Sequence, residues 1–356
     1  VSNGSHILFV IRDDTGGSEI LMQTADPTWM AYNPYPRTQL FNGGATSLYN
    51  GAARVSYDRP HRRSVAKYLR TFFGAQLHLV RFLERNGYDV SYFAGVDAAR
   101  RGAEIAEHRV WISSGHDEYW SREMRDAVNA ARDAGTHLVF LSGNLMYWKT
   151  RWEDGFRTMV GYKTATHSHA DDPDGLTSTW RDLRFQKPGD LAEPENSTTG
   201  LIFGTNGVSE DSLKVPEADG KLRLWRDTAA ETAAACGVTE MAPETVGFEW
   251  DHDQDNGHRP AGLFRLSSTN IDHAPVLYGA GSFAAGGLFA EIGQATHHVS
   301  SYRAPSGSLV FNAGSVQWSL GLGLTHLPDE YGGHLDLTLM QATANLLADM
   351  GVQAAT

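Results

Sequence analysis

Three short stretches gather side chains able to move protons or bind ions. In "SGHDEYW", Ser114 to Trp120, an imidazole, two carboxylates and a phenol follow directly on the apolar run "RVWIS". If that run is a buried strand ending near Ser113, then His116, Asp117, Glu118 and Tyr119 sit at its carboxyl end, where ligands of parallel sheets collect. A plainer account is that Asp117 and Glu118 favour the start of the next helix while Tyr119 and Trp120 pack. In "FLSGNLMYW", Phe140 to Trp148, a strand and a tight turn follow the layout of a nucleophile elbow with Asn144 at the exposed position. An Asn side chain donates and accepts hydrogen bonds but forms no acyl intermediate, so something else must activate the attack; a plain left-handed turn would suit Asn equally. In "GFEWD", strand alternation puts Glu249 and Asp251 on one face and Phe248 and Trp250 on the other, so one of the two carboxylates could face a cleft.

Other polar clusters read as ordinary surface. "DHDQDNGH" departs from a calcium loop because its Gly falls one place late and no Glu stands at the twelfth position. It reads as a solvated acidic turn. His167 and His169 in "THSHADD", and His297 and His298 in "THHVSSY", lack a third ligand at a metal-site spacing and are expected on the surface.

The elements that must position these residues alternate. "SEILMQT", "YDVSYF", "RVWIS" and "HLVFLS" read as short apolar strands. A helix is expected from Val65 to Asn86, closed by Gly87, and another from Ser121 as N-cap to Ala134, closed by Gly135. That β-α-β order implies an α/β fold built on a parallel sheet with helices on both faces. The aromatic, Gly- and Pro-rich run from Ala25 to Gly51 reads as a long functional loop. From Lys163 to Ala242 the chain turns polar, with only short strand-like pieces such as "GLIFG", and reads as a partly β insertion within one domain of residues 1–356. Alternation resumes with "ETVGFEWD", "PVLYGAG" and "GSLVFNAGS", and "LDLTLMQATANLLADMG" closes the chain as a helix.

Composition narrows the function. The 356 residues are 41% hydrophobic, enough for a large core, and the formal charge of −12 argues against nucleic acid, whose phosphates need clustered Lys and Arg. An anionic substrate is disfavoured for the same reason. The single Cys236 excludes an intrachain disulfide and a CxxC pair and is expected to pack. With no apolar run of about 18 residues and no basic-then-apolar leader, a cytoplasmic chain without a membrane span is expected.

Together with "PTWMAYN", "GGATSLYN", "VSYDRP", "FLERNGYDV", "VFNAGSVQWSLGL" and "ATANLLADMGV", these stretches resemble the C-terminal domain of the large (beta) subunit of N,N-dimethylformamidase and its relatives. The resemblance implies a flavodoxin-like sheet of the class I glutamine amidotransferase type without that group's cysteine, in keeping with Asn144 at the elbow. It implies a mononuclear, ferric iron site that hydrolyses a formamide to formate and an amine. By motif Tyr32 and Glu118 match iron ligands, His116 and Asn144 match residues lining the site, and Glu249 matches the catalytic carboxylate. Phenolate and carboxylate are hard donors that suit ferric iron, which polarises a carbonyl and acidifies water. The family's second iron tyrosine lies upstream of the stretch matched by "ILFVIRDD", before which this chain has six residues. Four alternatives follow: the chain is a fragment, Tyr49 or Tyr119 takes that place, a histidine does, or the metal has been lost. The expected function is an iron-dependent hydrolase of a small neutral amide or related carbonyl compound, alone, as a homo-oligomer or with a partner subunit. The alternatives are a non-catalytic binding or assembly module, or an iron enzyme acting on a larger biosynthetic carbonyl compound.

Overall fold

The computed structural model describes residues 8–35, 40, 52–61, 69, 71–162, 172, 177–183, 186, 189, 191–277, 283–284, 287–288, 290–325 and 333–355. His167, His169, Tyr49 and the first part of the helix expected from Val65 lie outside them.

A nine-stranded mixed sheet runs through the molecule in the order Val246–His252, Ile202–Asp211, Phe264–Leu277, Ala290–Arg303, Leu309–Asn312, His137–Ser142, Val110–Gly115, Ile20–Gln23 and Val90–Phe93. The last five are parallel, with Ile20 opposite both Val90 and Val110, and Leu138 opposite Val310. Their short apolar runs alternate between two cores. Ile20, Met22, Val110, Ile112, Val139 and Leu141 meet Leu79 and Leu83 of the Leu77–Arg85 helix and Leu339 and Leu347 of the Leu337–Asp349 helix. On the other face Leu21, Trp111, Leu138 and Phe140 meet Met124, Val128 and Ala131 of the Arg122–Ala134 helix. Each such side chain contributes roughly 1.5–3 kcal/mol by leaving water. The caps are those expected: Ser121 Oγ accepts from Met124 N–H, and Gly135 closes the helix at φ 119°.

The other four strands are antiparallel, joined through the long Phe264–Leu277 and Ala290–Arg303 pair. Within the 163–242 stretch, Ile202–Asp211 enters this sheet and Ser178–Thr179 pairs with Trp148–Glu153, while Lys214–Pro216 pairs with Val238–Glu240.

Several expectations change. The Ala25 to Gly51 run is not all loop, since Asp26–Tyr32 forms a helix with Pro27 in its first turn, where a missing N–H costs nothing. His297 and His298 are buried, not on the surface: His297 Nε2 is 2.8 Å from Ala313 O, and His298 Nδ1 accepts from Asp253 N–H. Burial lowers their pKa values to about 4 and about 3, with Arg265 adding to the effect on His298. Asp253 of the supposed solvated turn is buried and paired with Arg259 and Arg265. Cys236 is exposed. Among the described residues, no helix is long and apolar enough to cross a membrane.

Candidate functional site

Tyr32, His116, Glu118, Asn144 and Glu249 come together in one buried cluster. Their exposures of 8, 1, 3, 2 and 7% mean that every polar atom needs a partner inside the protein. Tyr32 Oη donates to Glu118 Oε2 at 2.5 Å, and Trp148 Nε1 donates to Glu118 Oε1 at 2.6 Å. His116 Nε2 lies 2.7 Å from Glu249 Oε2 and 3.4 Å from Glu118 Oε2, bridging the two carboxylates. Asn144 Nδ2 donates to the same Glu249 oxygen at 2.9 Å. The ring of Tyr32 stacks on His116, and Phe248 meets His116 edge to face.

Local structure explains the placement. The Val110–Gly115 strand ends two residues later than expected, and His116, Asp117 and Glu118 fill the gap before the short Tyr119–Ser121 strand. Tyr32 is the last residue of its helix, whose start is pinned by buried Asp26. That carboxylate accepts from Thr24 and Tyr57 hydroxyls and from the Gly95 and Val96 amides. Thr28 of the same helix accepts from Glu118 N–H at 2.9 Å, so the helix fixes the Glu118 segment directly. Asp117, next to the cluster, is pushed up to about 7 by burial and by Asp26, against the Ser113 hydroxyl that donates to it at 2.6 Å.

Asn144 sits at φ 48°, the left-handed conformation a tight elbow needs. A Cβ on Gly143 would strike Glu249 O and lie 2.9 Å from Val316 N, so only Gly lets the elbow pack against that strand. Glu249 and Asp251 share a face as alternation requires, but Phe248 departs from it. Its backbone turns to φ 60°, and its ring packs against His116.

Contacts that sequence reading missed are those of Thr28, Trp148 and Asp251, the last accepting from Asn144 N–H at 2.7 Å. The carboxylate of Asp251 was visible as a candidate; its target was not.

The donor chemistry fits a hard cation. A phenol and a carboxylate meet at 2.5 Å, and the second carboxylate oxygen is already oriented by an indole N–H. Among the described residues no group of three or more His, Cys, Asp and Glu side chains has a metal-holding arrangement, so an ion here would rest on tyrosine as well.

A parallel sheet flanked by helices, with an elbow that carries Asn where a nucleophile could stand, defines an α/β protein of the flavodoxin-like, class I glutamine amidotransferase-like type. Residues 2–332 match the family described as N,N-dimethylformamidase beta subunit-like, C-terminal, and the chain belongs to that family. No curated protein matches the sequence.

Proposed function

We infer that this chain, as one domain, is an iron-dependent hydrolase of small neutral amides or closely related carbonyl compounds. The observation that carries the reading is the meeting of two oxygen donors, an imidazole, an amide and a second carboxylate in one buried cluster at the strand ends. Tyr32 and Glu118 would hold the ion, which supplies Lewis acidity to a carbonyl and to water. Glu249 takes the proton from the attacking water, held in place by His116 and Asn144 at its Oε2. Asn144 orients that carboxylate. His116, 2.7 Å from it, carries the proton on to the leaving nitrogen. A carbon–oxygen bond forms, the carbon–nitrogen bond breaks, and the water proton leaves on the amine. The aromatic surroundings, Tyr32, Tyr119 and Trp148, favour a neutral substrate. Because the family description names a beta subunit, a partner subunit belongs to the reading as well.

The test is metal analysis with an amide panel on the purified chain. Stoichiometric iron, a visible tyrosinate-to-iron band and amine release from a formamide support the reading. A colourless, metal-free protein without turnover would replace it with a binding or assembly module. Iron with turnover only of bulkier esters or lactones would keep the metal and change the substrate.

A further inference from the structure

We propose that Asp251 is the positioning residue of the elbow: it ties down the backbone N–H of Asn144, presents the Asn144 side chain to Glu249, and withholds that N–H from substrate. This inference rests on the hydrolase reading above for its catalytic consequence, though not for its geometry.

In an elbow of this kind the backbone N–H following the exposed residue normally faces a developing oxyanion. Here the exposed residue's own N–H, that of Asn144, donates to Asp251 Oδ1 at 2.7 Å. Asp251 is 1% exposed, and its own N–H donates to Gly314 O at 2.8 Å, so the group cannot swing away to solvent. Burial drives its pKa well up, while the Asn144 N–H and nearby Arg181 pull it back. A substrate oxygen brought to the Asn144 amide would meet a carboxyl group already occupying it. Glu249 and Asp251, two residues apart on one strand, hold Asn144 by its side chain and its main chain respectively. That double grip accounts for a left-handed Asn whose Nδ2 stands 2.9 Å from the proposed base.

The variant Asp251→Ala removes both acceptor oxygens. Its crystal structure beside that of the wild type is expected to show Asn144 released, with the Asn144 to Glu249 hydrogen bond broken. An unmoved Asn144 would overturn the proposal. Should Asp251→Ala fail to fold, Asp251→Leu, which fills the space without offering an acceptor, takes its place under the same criterion. In kinetics, Asp251→Ala should lower kcat at least about tenfold with KM nearly unchanged, as misplacement of a catalytic group does. In an Asn144→Ala background it should add little, whereas additive losses would mark Asp251 as merely structural. A wild-type chain that hydrolyses no amide, together with a released Asn144 in the variant, would sink the hydrolase reading and leave the positioning role standing.

Discussion

At the residue scale, the two glutamates of the cluster have separable duties. Glu249 touches His116 and Asn144, whereas Glu118 touches Tyr32 and Trp148. Glu249→Gln is therefore expected to keep iron and fold and to lose turnover by about 10²-fold or more, the scale of lost acid–base catalysis. Glu118→Gln should lose the iron itself, because a neutral amide is a poor ligand for a ferric ion. Tyr32→Phe should abolish the tyrosinate band. Equal iron content in all three variants, measured by elemental analysis, would break this division. His116, Glu118 and Asn144 were legible in the sequence because they follow apolar runs, and Glu249 by strand alternation, whereas Tyr32 was marked only by the family resemblance. Their supporting partners were not, since Thr28 lies 90 positions from Glu118 and Asp251 lies 107 from Asn144. Hydrophobic periodicity reports local structure and is silent on such pairings.

At the scale of elements, the meeting of elbow and carboxylate strand depends on one residue without a side chain. Gly143→Ala would push its methyl into Glu249 O and crowd Val316 N. Overpacking of this kind costs about 1–3 kcal/mol, and the strand that yields is the one carrying Glu249. Turnover per folded molecule should fall along with the unfolding midpoint; a fall in the midpoint alone would place the strain elsewhere. The antiparallel arm carries a pH signature of its own. Burial holds His297 at about 4 in the folded chain, against about 6.5 when unfolded. As pH falls the unfolded chain takes up this proton first, so the stabilisation is complete above about pH 6.5 and is lost progressively towards pH 4. His297→Gln should flatten the decline in urea midpoint between pH 7 and pH 5, and an unchanged slope would contradict the assignment. The parallel strands and the Arg122–Ala134 helix were readable because apolar runs and cap residues mark them. The Asp26–Tyr32 helix was hidden by Pro and Asn, and the burial of His297 by its polar type, because tertiary packing overrides both signals.

For the whole molecule, an ion bound only by the folded chain adds stability through mass action, about 2.7 kcal/mol at a hundredfold excess over Kd. Iron-loaded protein should therefore melt several degrees above chelator-treated protein in calorimetry, and Glu118→Gln should erase the difference. A second consequence concerns biogenesis. Leu309–Asn312 lies beside His137–Ser142, yet the two are made far apart in time. At about 5–20 residues per second, the open edge of His137–Ser142 waits roughly 10–30 s on the ribosome for its partner. That apolar edge is a template for pairing with neighbouring chains while it waits. Yield of the native protein is thus governed by how well chaperones shield a half-built sheet, and slower, cooler expression with added chaperones should recover chain that otherwise aggregates.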